Sequence, residues 1–498
     1  MECQFPKHTQ NYLKRMLHST KNEEQTLEVK LNESMPDIGR VICAWGQPVM
    51  RSKEWRGSSV GISGGVMAWI LYASESGTEI QSVECWIPFQ MYWDIPKSRK
   101  DGSIRLSLLL SDMDARSTSA RKLMVRAVVC AGVEVLEPDQ VEIYVPEQLP
   151  QDIQLLKKSY PVCMRREAGE RNVTIDENIG VPAAFGGVAK IICCNAQPKI
   201  TEKRVMGDKL VFRGVTQLSC MWMCQDGTVR SSRHELPFSQ YAELSGSYEA
   251  TVATDIILAV TNLEPELLED GTLRLKGSLV GQYVLWDTST LTVIEDAYSL
   301  ERTVKKQEQM LEVQSILGTG QETIKAEQPV DPNCGELIAG NLLLKQPEIL
   351  REDGQERVEM QGAFQVLHQD GDGNALGETV KWNESVILPG DGENTTSAIV
   401  SAVNDVRVTR NAETMVCCDI VIDVLTEEDR NLNMVTALEL GEAVEPDPGR
   451  PSLILMRMDE RPLWEVAKSC GSTMEAILTT NGLTDEASPG QMLLIPVL

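Results

Sequence analysis

Apolar and polar positions alternate with a period of two along most of the chain. Stretches such as "KLMVRAVVCAGVEV", "DGTLRLKGSLVGQYVLW" and "ETMVCCDIVIDVL" are rich in β-branched and apolar residues, and polar turns cut them at short intervals. Successive side chains on a strand point to opposite faces, so this period predicts half-buried β-strands, whereas the 3.6-residue period of helices is weak. Antiparallel β-sandwich-like units are the layer architecture that satisfies such a pattern.

The pattern changes at Leu453. "LILMRM" predicts a short strand, "PLWEVAKSCG" a helix with Leu463, Val466 and Ala467 on one face, "STMEAILTTNG" a second helix, and "QMLLIP" a closing strand. Ser472 followed by Glu475 has the form of a capping box, and Gly471 and Gly482 stand where helix C-termini favour left-handed backbone. Met474, Ile477 and Leu478 form the apolar face of the second helix, and Leu463, Val466, Ile477 and Leu494 are the expected core.

The β-rich part carries internal landmarks at near-constant spacing. Gln-Pro follows an apolar run at Gln47-Pro48, Gln197-Pro198 and Gln346-Pro347, spacings of 150 and 149. A glycine then opens a β-rich run at Gly65, Gly214 and Gly362. Polar turns follow at Gly77, Gly227 and Gly377, which predicts a hairpin in triplicate. The returning strands close on "WIPF" (Pro88, Phe89), "ELPF" (Pro237, Phe238) and the weaker "VILPG" (Pro389). A fourth landmark is an alternating segment at Leu27-Glu28-Val29, Val173-Thr174-Ile175 and Leu311-Glu312-Val313. The expected organisation is an N-terminal extension at 1–19, repeats at 20–160, 161–300 and a divergent 301–445, and a terminal α+β module at 446–498.

Composition narrows the function. The 498 residues are 42% apolar and 24% charged, as in folded chains, and the net charge of −26 repels phosphate backbones and anionic lipid heads. Nucleic acid is therefore not an expected partner, nor is direct membrane insertion. The first thirty residues lack the apolar core of a signal peptide, and no stretch reaches about 18 unbroken apolar residues, so the expectation is a cytoplasmic protein. Thirteen cysteines sit mostly in apolar runs and are expected to be reduced packing residues.

Catalytic and metal chemistry find little material. His8, His18, His234 and His368 stand in separate settings. "DGDGN" at 370–374 opens like a calcium loop but has Ala375 at the required glycine and Lys381 at the required bidentate glutamate, so a solvated hairpin tip is expected. No enzyme, cofactor or metal site is expected. In "CWIPFQMYWDIP", Trp86 is expected in the core, and Tyr92 and Trp93 on opposite faces.

The terminal segment resembles the LysM family through "LWEVAKSCGSTMEAILTTNGL" and "SPGQMLLIP". LysM modules that grip glycans usually have Gly-Asp-Thr before the Leu-Trp pair; here Glu460, Arg461 and Pro462 stand there, adding side chains and deleting one backbone donor. The β-rich part resembles the SPOCS domain of spore coat-associated proteins through "MPDIGRVICAWGQP", "SVECWIPF" and its echo "SSRHELPF". SPOCS repeats followed by LysM resemble the SipL type of spore-morphogenesis protein. This resemblance implies a scaffold held in the mother cell at the forespore surface or spore coat, with the LysM module docking on a SpoIVA-like coat-basement ATPase. Peptidoglycan remains the alternative ligand. The expected contact residues are Glu460, Arg461 and Pro462 on one loop and Thr484, Asp485, Glu486 and Pro489 on the other, where polar loop side chains favour contact over packing.

Overall fold

The computed structural model describes residues 2–77, 79–95, 102–331, 334–352, 354–370, 374–388, 394–410, 413–444, 449–484 and 488–498. The chain is mainly β, with two short α-helices near its C-terminus. In the first part run β1 (Glu2–Gln4), β2 (Lys7–Lys30), β3 (Ile38–Arg56), β4 (Ser59–Ser74), β5 (Ile80–Asp94), β6 (Ser103–Ser119) and β7 (Lys122–Tyr144). Then come β8 (Ile153–Gly180), β9 (Val188–Cys224), β10 (Val229–Tyr248), β11 (Ala253–Leu267) and β12 (Thr272–Ser299). A third stretch holds β13 (Arg302–Pro329), β14 (Leu337–Leu344), β15 (Glu348–Glu352), β16 (Gln355–Gln369), β17 (Ala375–Leu388), β18 (Thr395–Val403), β19 (Arg407–Arg410) and β20 (Thr414–Ala443). The end is β21 (Leu453–Arg457), α1 (Leu463–Cys470), α2 (Met474–Asn481) and β22 (Met492–Pro496).

Among the described residues the pairings before β21 fall into three blocks, and every pair is antiparallel. In block 1, β7 pairs with β2 and β6, and β4 with β3 and β5. In block 2, β12 pairs with β8 and β11, and β10 with β9. In block 3, β20 pairs with β13, β18 and β19, and β16 with β14, β15 and β17. Strand β1 crosses from block 1 to the edge of β20. Two of the expected boundaries fall inside strands, residue 20 in β2 and residue 160 in β8, whereas residue 300 falls between β12 and β13. Residue 445 lies outside the described residues.

Bulges give these long strands their shape. The ladder skips Met16 in β2, Arg166 in β8 and Leu317 in β13. A bulge bends its strand and changes where neighbouring side chains point; of the residues just before the first two, Arg15 is half-buried and Arg165 buried. Edge strands β6, β11 and β18 each skip one hydroxyl residue, Ser111, Thr261 and Ser401. Each hydroxyl donates to a carbonyl of the partner strand, that of Val128 (3.1 Å), Ser278 (3.0 Å) and Val421 (3.2 Å). The side chain thus supplies a hydrogen bond where the ladder is interrupted.

Three glycines meet one steric demand. A Cβ on Gly64, Gly214 or Gly362 would lie 2.3, 2.4 and 2.3 Å from the carbonyl oxygens of Val49, Lys199 and Leu343. Their cross-strand partners are Phe89, Phe238 and Trp382. Gly64 therefore takes the place expected for Gly65, which lies under the Trp86 ring. Pro389 is outside the described residues, and the aromatic missing from "VILPG" is Trp382, buried seven positions earlier.

Other landmarks divide. Gly77 and Gly227 have φ of 73° and 80° in their turns, where glycine avoids the Cβ penalty of left-handed backbone. Gly377 is instead inside β17, opposite Leu367, because a Cβ there would be 2.1 Å from the Ile42 carbonyl of block 1. The third hairpin closes at Asp370, whose N–H donates to the Asn374 carbonyl at 2.9 Å; residues 371–373 lie outside the described ones. The alternating landmark falls in β2, β8 and β13 but at unequal distances from their bulges, so it keeps no common register.

Each block encloses an apolar core, with Ile70, Leu106 and Val125 in block 1, Phe212, Trp222 and Leu275 in block 2, and Met360, Phe364 and Ile420 in block 3. Two further clusters draw on all three blocks: Ile42, Trp69, Met221 and Leu367 form part of one, Tyr12, Met164, Leu291 and Met434 of the other. Trp86, expected in its own core, is half-buried over Gly65 and packs against the core of block 2, with Arg51 5.1 Å from its ring centroid. Trp93 is buried and Tyr92 exposed, as their alternation requires. Eight cysteines are buried and five half-buried.

Candidate functional site

Strand β21 pairs with β22, and the two helices pack against one face of this hairpin through Leu463, Val466, Ala467 and Ile477. Gly471 and Gly482 end the helices with φ of 65° and 62°. The N-cap of α2 is Thr473 rather than Ser472: its Oγ1 accepts from the Ala476 N–H at 3.0 Å. Ser472 is committed elsewhere, its N–H closing α1 on the Ala467 carbonyl at 2.9 Å. In β22, Leu493 and Ile495 face the core and Leu494 faces out, one step from the expected register.

The two expected contact loops lie side by side. The Met458 N–H donates to the Gln491 carbonyl and the Gly490 N–H to the Met458 carbonyl, both at 2.8 Å. This brings Glu460, Arg461 and Pro462 to the same end of the module as Pro489. Glu460, Arg461, Pro462, Thr484 and Pro489 are exposed; Asp485 and Glu486 lie outside the described residues. Arg461 is turned onto its own loop, its N–H and Nε donating to Asp459 at 2.9 and 2.8 Å. Those two bonds, the backbone one first, hold the Asp459 carboxyl below its usual range. Pro462 starts α1, its carbonyl accepting from the Glu465 N–H at 3.0 Å.

A joint not expected from the sequence ties this module to block 2. Trp464 Nε1 and Lys468 Nζ each reach Asp296 Oδ2 at 2.7 Å, and Lys306 Nζ reaches Oδ1 at 2.9 Å. Tyr298 donates its hydroxyl to the Ser472 carbonyl at 2.7 Å, and its ring meets Trp464 edge-on with centroids 4.8 Å apart. Burial pushes the Asp296 carboxyl up, but the bonds from Lys468, Trp464 and Lys306 outweigh it and hold the group at about 2. The tryptophan of the Leu-Trp pair thus joins two parts of the chain.

A second constellation lies where the blocks meet. Arg15 and Arg165 both pair with Glu427, Arg165 reaches Glu134 at 3.3 Å, Arg105 reaches Glu134 at 2.6 Å, and Arg105 also pairs with Asp255. Burial pushes Glu134 up, and the guanidinium groups of Arg105, Arg165 and Arg15 overcome it and hold the carboxyl at about 2. Burial pushes the pKa of the nearby His18 below its ordinary value. Glutamines complete the seams: Gln47 accepts from the Ala196 N–H at 2.9 Å, Gln346 donates to Ser107 Oγ at 3.0 Å, and Gln365 donates to the Ala44 carbonyl at 3.0 Å. Gln47 thus reaches from block 1 to 2 and Gln346 from block 3 to 1, which gives two of the Gln-Pro dipeptides a physical role.

Two cavities of 440 and 380 Å³ lie along these seams, lined from all three blocks and sharing Lys203, Asp255, Gln321 and Asp423. The arginines beside them are already paired with carboxylates, so the arrangement fastens blocks together. Among the described residues no group of three or more His, Cys, Asp and Glu side chains could hold a metal ion. Among the described residues no helix is long and apolar enough to cross a membrane.

Residues 187–264, which span β9, β10 and most of β11, match the family model of the SipL SPOCS domain. No curated protein matches the chain at a significant level.

Proposed function

We propose that this chain is a non-enzymatic scaffold of the endospore envelope: three tandem SPOCS-type units form one body, and a LysM-type module at 446–498 docks on a coat-basement protein. The observation that carries the reading is the SPOCS match at 187–264. Features within that stretch have counterparts in blocks 1 and 3: the glycine pressed against a backbone carbonyl at Gly64, Gly214 and Gly362, and the hydroxyl-filled bulge at Ser111, Thr261 and Ser401. Those correspondences support a tandem triplication with units near 20–160, 161–300 and 301–445. The strand, helix, helix, strand order of the terminal module supports the LysM reading.

In this reading the protein acts in the mother cell at the forespore surface, and the terminal module takes a protein. Glu460, Arg461 and Pro462 stand where glycan-binding LysM modules usually carry Gly-Asp-Thr, and the joint at Asp296 fixes the module on a large body. Full-length protein offered in parallel to a SpoIVA-like coat-basement ATPase and to peptidoglycan fragments tests the proposal. Saturable binding of the ATPase supports it. Retention of peptidoglycan with no ATPase binding overturns it in favour of a wall- or cortex-binding protein.

A further inference from the structure

Strand β21 leaves one edge of its hairpin open beside an apolar face. The Val497 N–H donates to the Ser452 carbonyl and the Met458 N–H to the Gln491 carbonyl, so the even-numbered residues of β21 are the ones bonded to β22. Antiparallel ladders alternate, and the backbone groups of Leu453, Leu455 and Arg457 therefore point away from β22. Among the described residues none bonds to the outward backbone of Leu453 or Leu455. The opposite edge is closed: the Leu494 N–H donates to Asn481 Oδ1 at 2.8 Å, and Asn481 Nδ2 donates to the Leu494 carbonyl at 2.7 Å.

The side chains over that open edge are apolar. Leu453, Leu455, Met492 and Leu494 are 49, 64, 54 and 38% exposed on the face away from the helices. Leu455 and Leu494 are cross-strand partners, as are Arg457 and Met492, so the patch is continuous. Folded proteins usually blunt such an edge with a charge, a proline, a bulge or a covering element. The sequence "LILMR" has no proline and no acidic residue, and its one cation, Arg457, sits at the end. Elsewhere the chain covers the problem: β20 receives β1 from the far terminus, and β22 receives Asn481.

We infer that the free edge of β21 is a docking site for an extended segment of a partner protein, added as a third strand. Its main chain bonds to Leu453, Leu455 and Arg457, its alternate apolar side chains continue the Leu453, Leu455, Leu494 and Met492 face, and a carboxylate lies opposite Arg457. The joint to block 2 uses Trp464 and Lys468 of α1, which leaves this edge accessible. The inference rests on the reading that the module takes a protein rather than a glycan.

The test uses the full-length chain and a synthetic nine-residue peptide of alternating valine and threonine with aspartates at one end. Hydrogen exchange should show the amides of Leu453 and Leu455 protected by saturating peptide. Leu455→Lys should weaken peptide binding at least ten-fold, and so should N-methylation of alternate peptide amides. Circular dichroism of Leu455→Lys should match wild type, since that side chain is exposed. Peptide protection confined to loops 459–462 and 488–490, equal binding of the N-methylated peptide, or no binding at all overturns the inference. The peptide arm needs no natural partner: if the peptide binds at β21 and the coat-basement ATPase does not bind the chain, the proposed function fails and the docking edge stands.

Discussion

Arg165 of block 2 and Glu134 of block 1 face each other at 3.3 Å with side chains 2% and 8% exposed. Arg165 also pairs with Glu427 of block 3, so one guanidinium spans three parts of the fold. Removing one partner of a buried pair leaves an uncompensated charge, at about 3–5 kcal/mol. Arg165→Met should therefore lower unfolding free energy by about that amount in urea titration. Glu134 adds a pH dependence. Its folded value of about 2 lies below the ordinary 4.5, so its stabilisation is fully present above about pH 4.5 and is lost as pH falls towards 2. The difference between wild type and Arg165→Met should shrink across that window; a constant difference would mean the pair contributes nothing.

Gly362 lies under the Leu343 carbonyl, 2.3 Å from where a Cβ would be. A backbone oxygen held in a strand cannot swing away, so Gly362→Ala should cost about 1–3 kcal/mol. Gly180→Ala, whose Cβ would meet open space, serves as the control. Equal melting temperatures for the two variants would show that the neighbouring strand β14 is not tightly held.

Asp296 fastens the terminal module. Asp296→Asn keeps an acceptor for the Trp464 indole but loses its ion pairs with Lys468 and Lys306, which are 41% and 28% exposed, so solvent screening leaves an effect of about 1 kcal/mol. The expected signs are a red-shifted Trp464 emission and faster proteolysis between Ala443 and Leu453. With a folded value of about 2 against an ordinary 3.8, the joint should hold above about pH 4 and loosen as pH falls towards 2. Unchanged proteolysis in Asp296→Asn would assign the joint to Tyr298 and Trp464 packing instead.

Burial pushes the Cys43 and Cys418 thiols up to about 12, which leaves little reactive thiolate at neutral pH. Thiol titration should therefore be slow and incomplete on native protein and approach thirteen on denatured protein. Several native disulfides would contradict the reduced, mother-cell setting proposed.

The β-class was legible because a period of two needs no tertiary information, as were the helix ends at Gly471 and Gly482, whose conformation is local. Errors gathered where distant strands decide. Gly64 and Gly65 are indistinguishable until the Val49 carbonyl of the neighbouring strand β3 is seen against the first. Gly377 looks like a turn residue until Ile42 is seen packed against it. "MLLIP" offers adjacent leucines, and only packing against the helices distinguishes the buried Leu493 from the exposed Leu494. The terminal loops were legible as loops, but Asp296 lies some 170 residues from Trp464, and no local signal links them. The bulges at Met16, Arg166 and Leu317 follow from pairing between sequence-distant strands within each block, and the clustering of Arg15, Arg165, Glu134 and Glu427 follows from packing between blocks.

The central claim, an envelope scaffold acting at the forespore surface, is tested most directly by where the full-length chain goes. A fluorescent fusion expressed in the mother cell of a sporulating host should form a ring around the forespore, and Leu455→Lys should turn that ring into a diffuse mother-cell signal. A wild-type fusion that stays diffuse, or gathers along the mother-cell wall, would contradict the account.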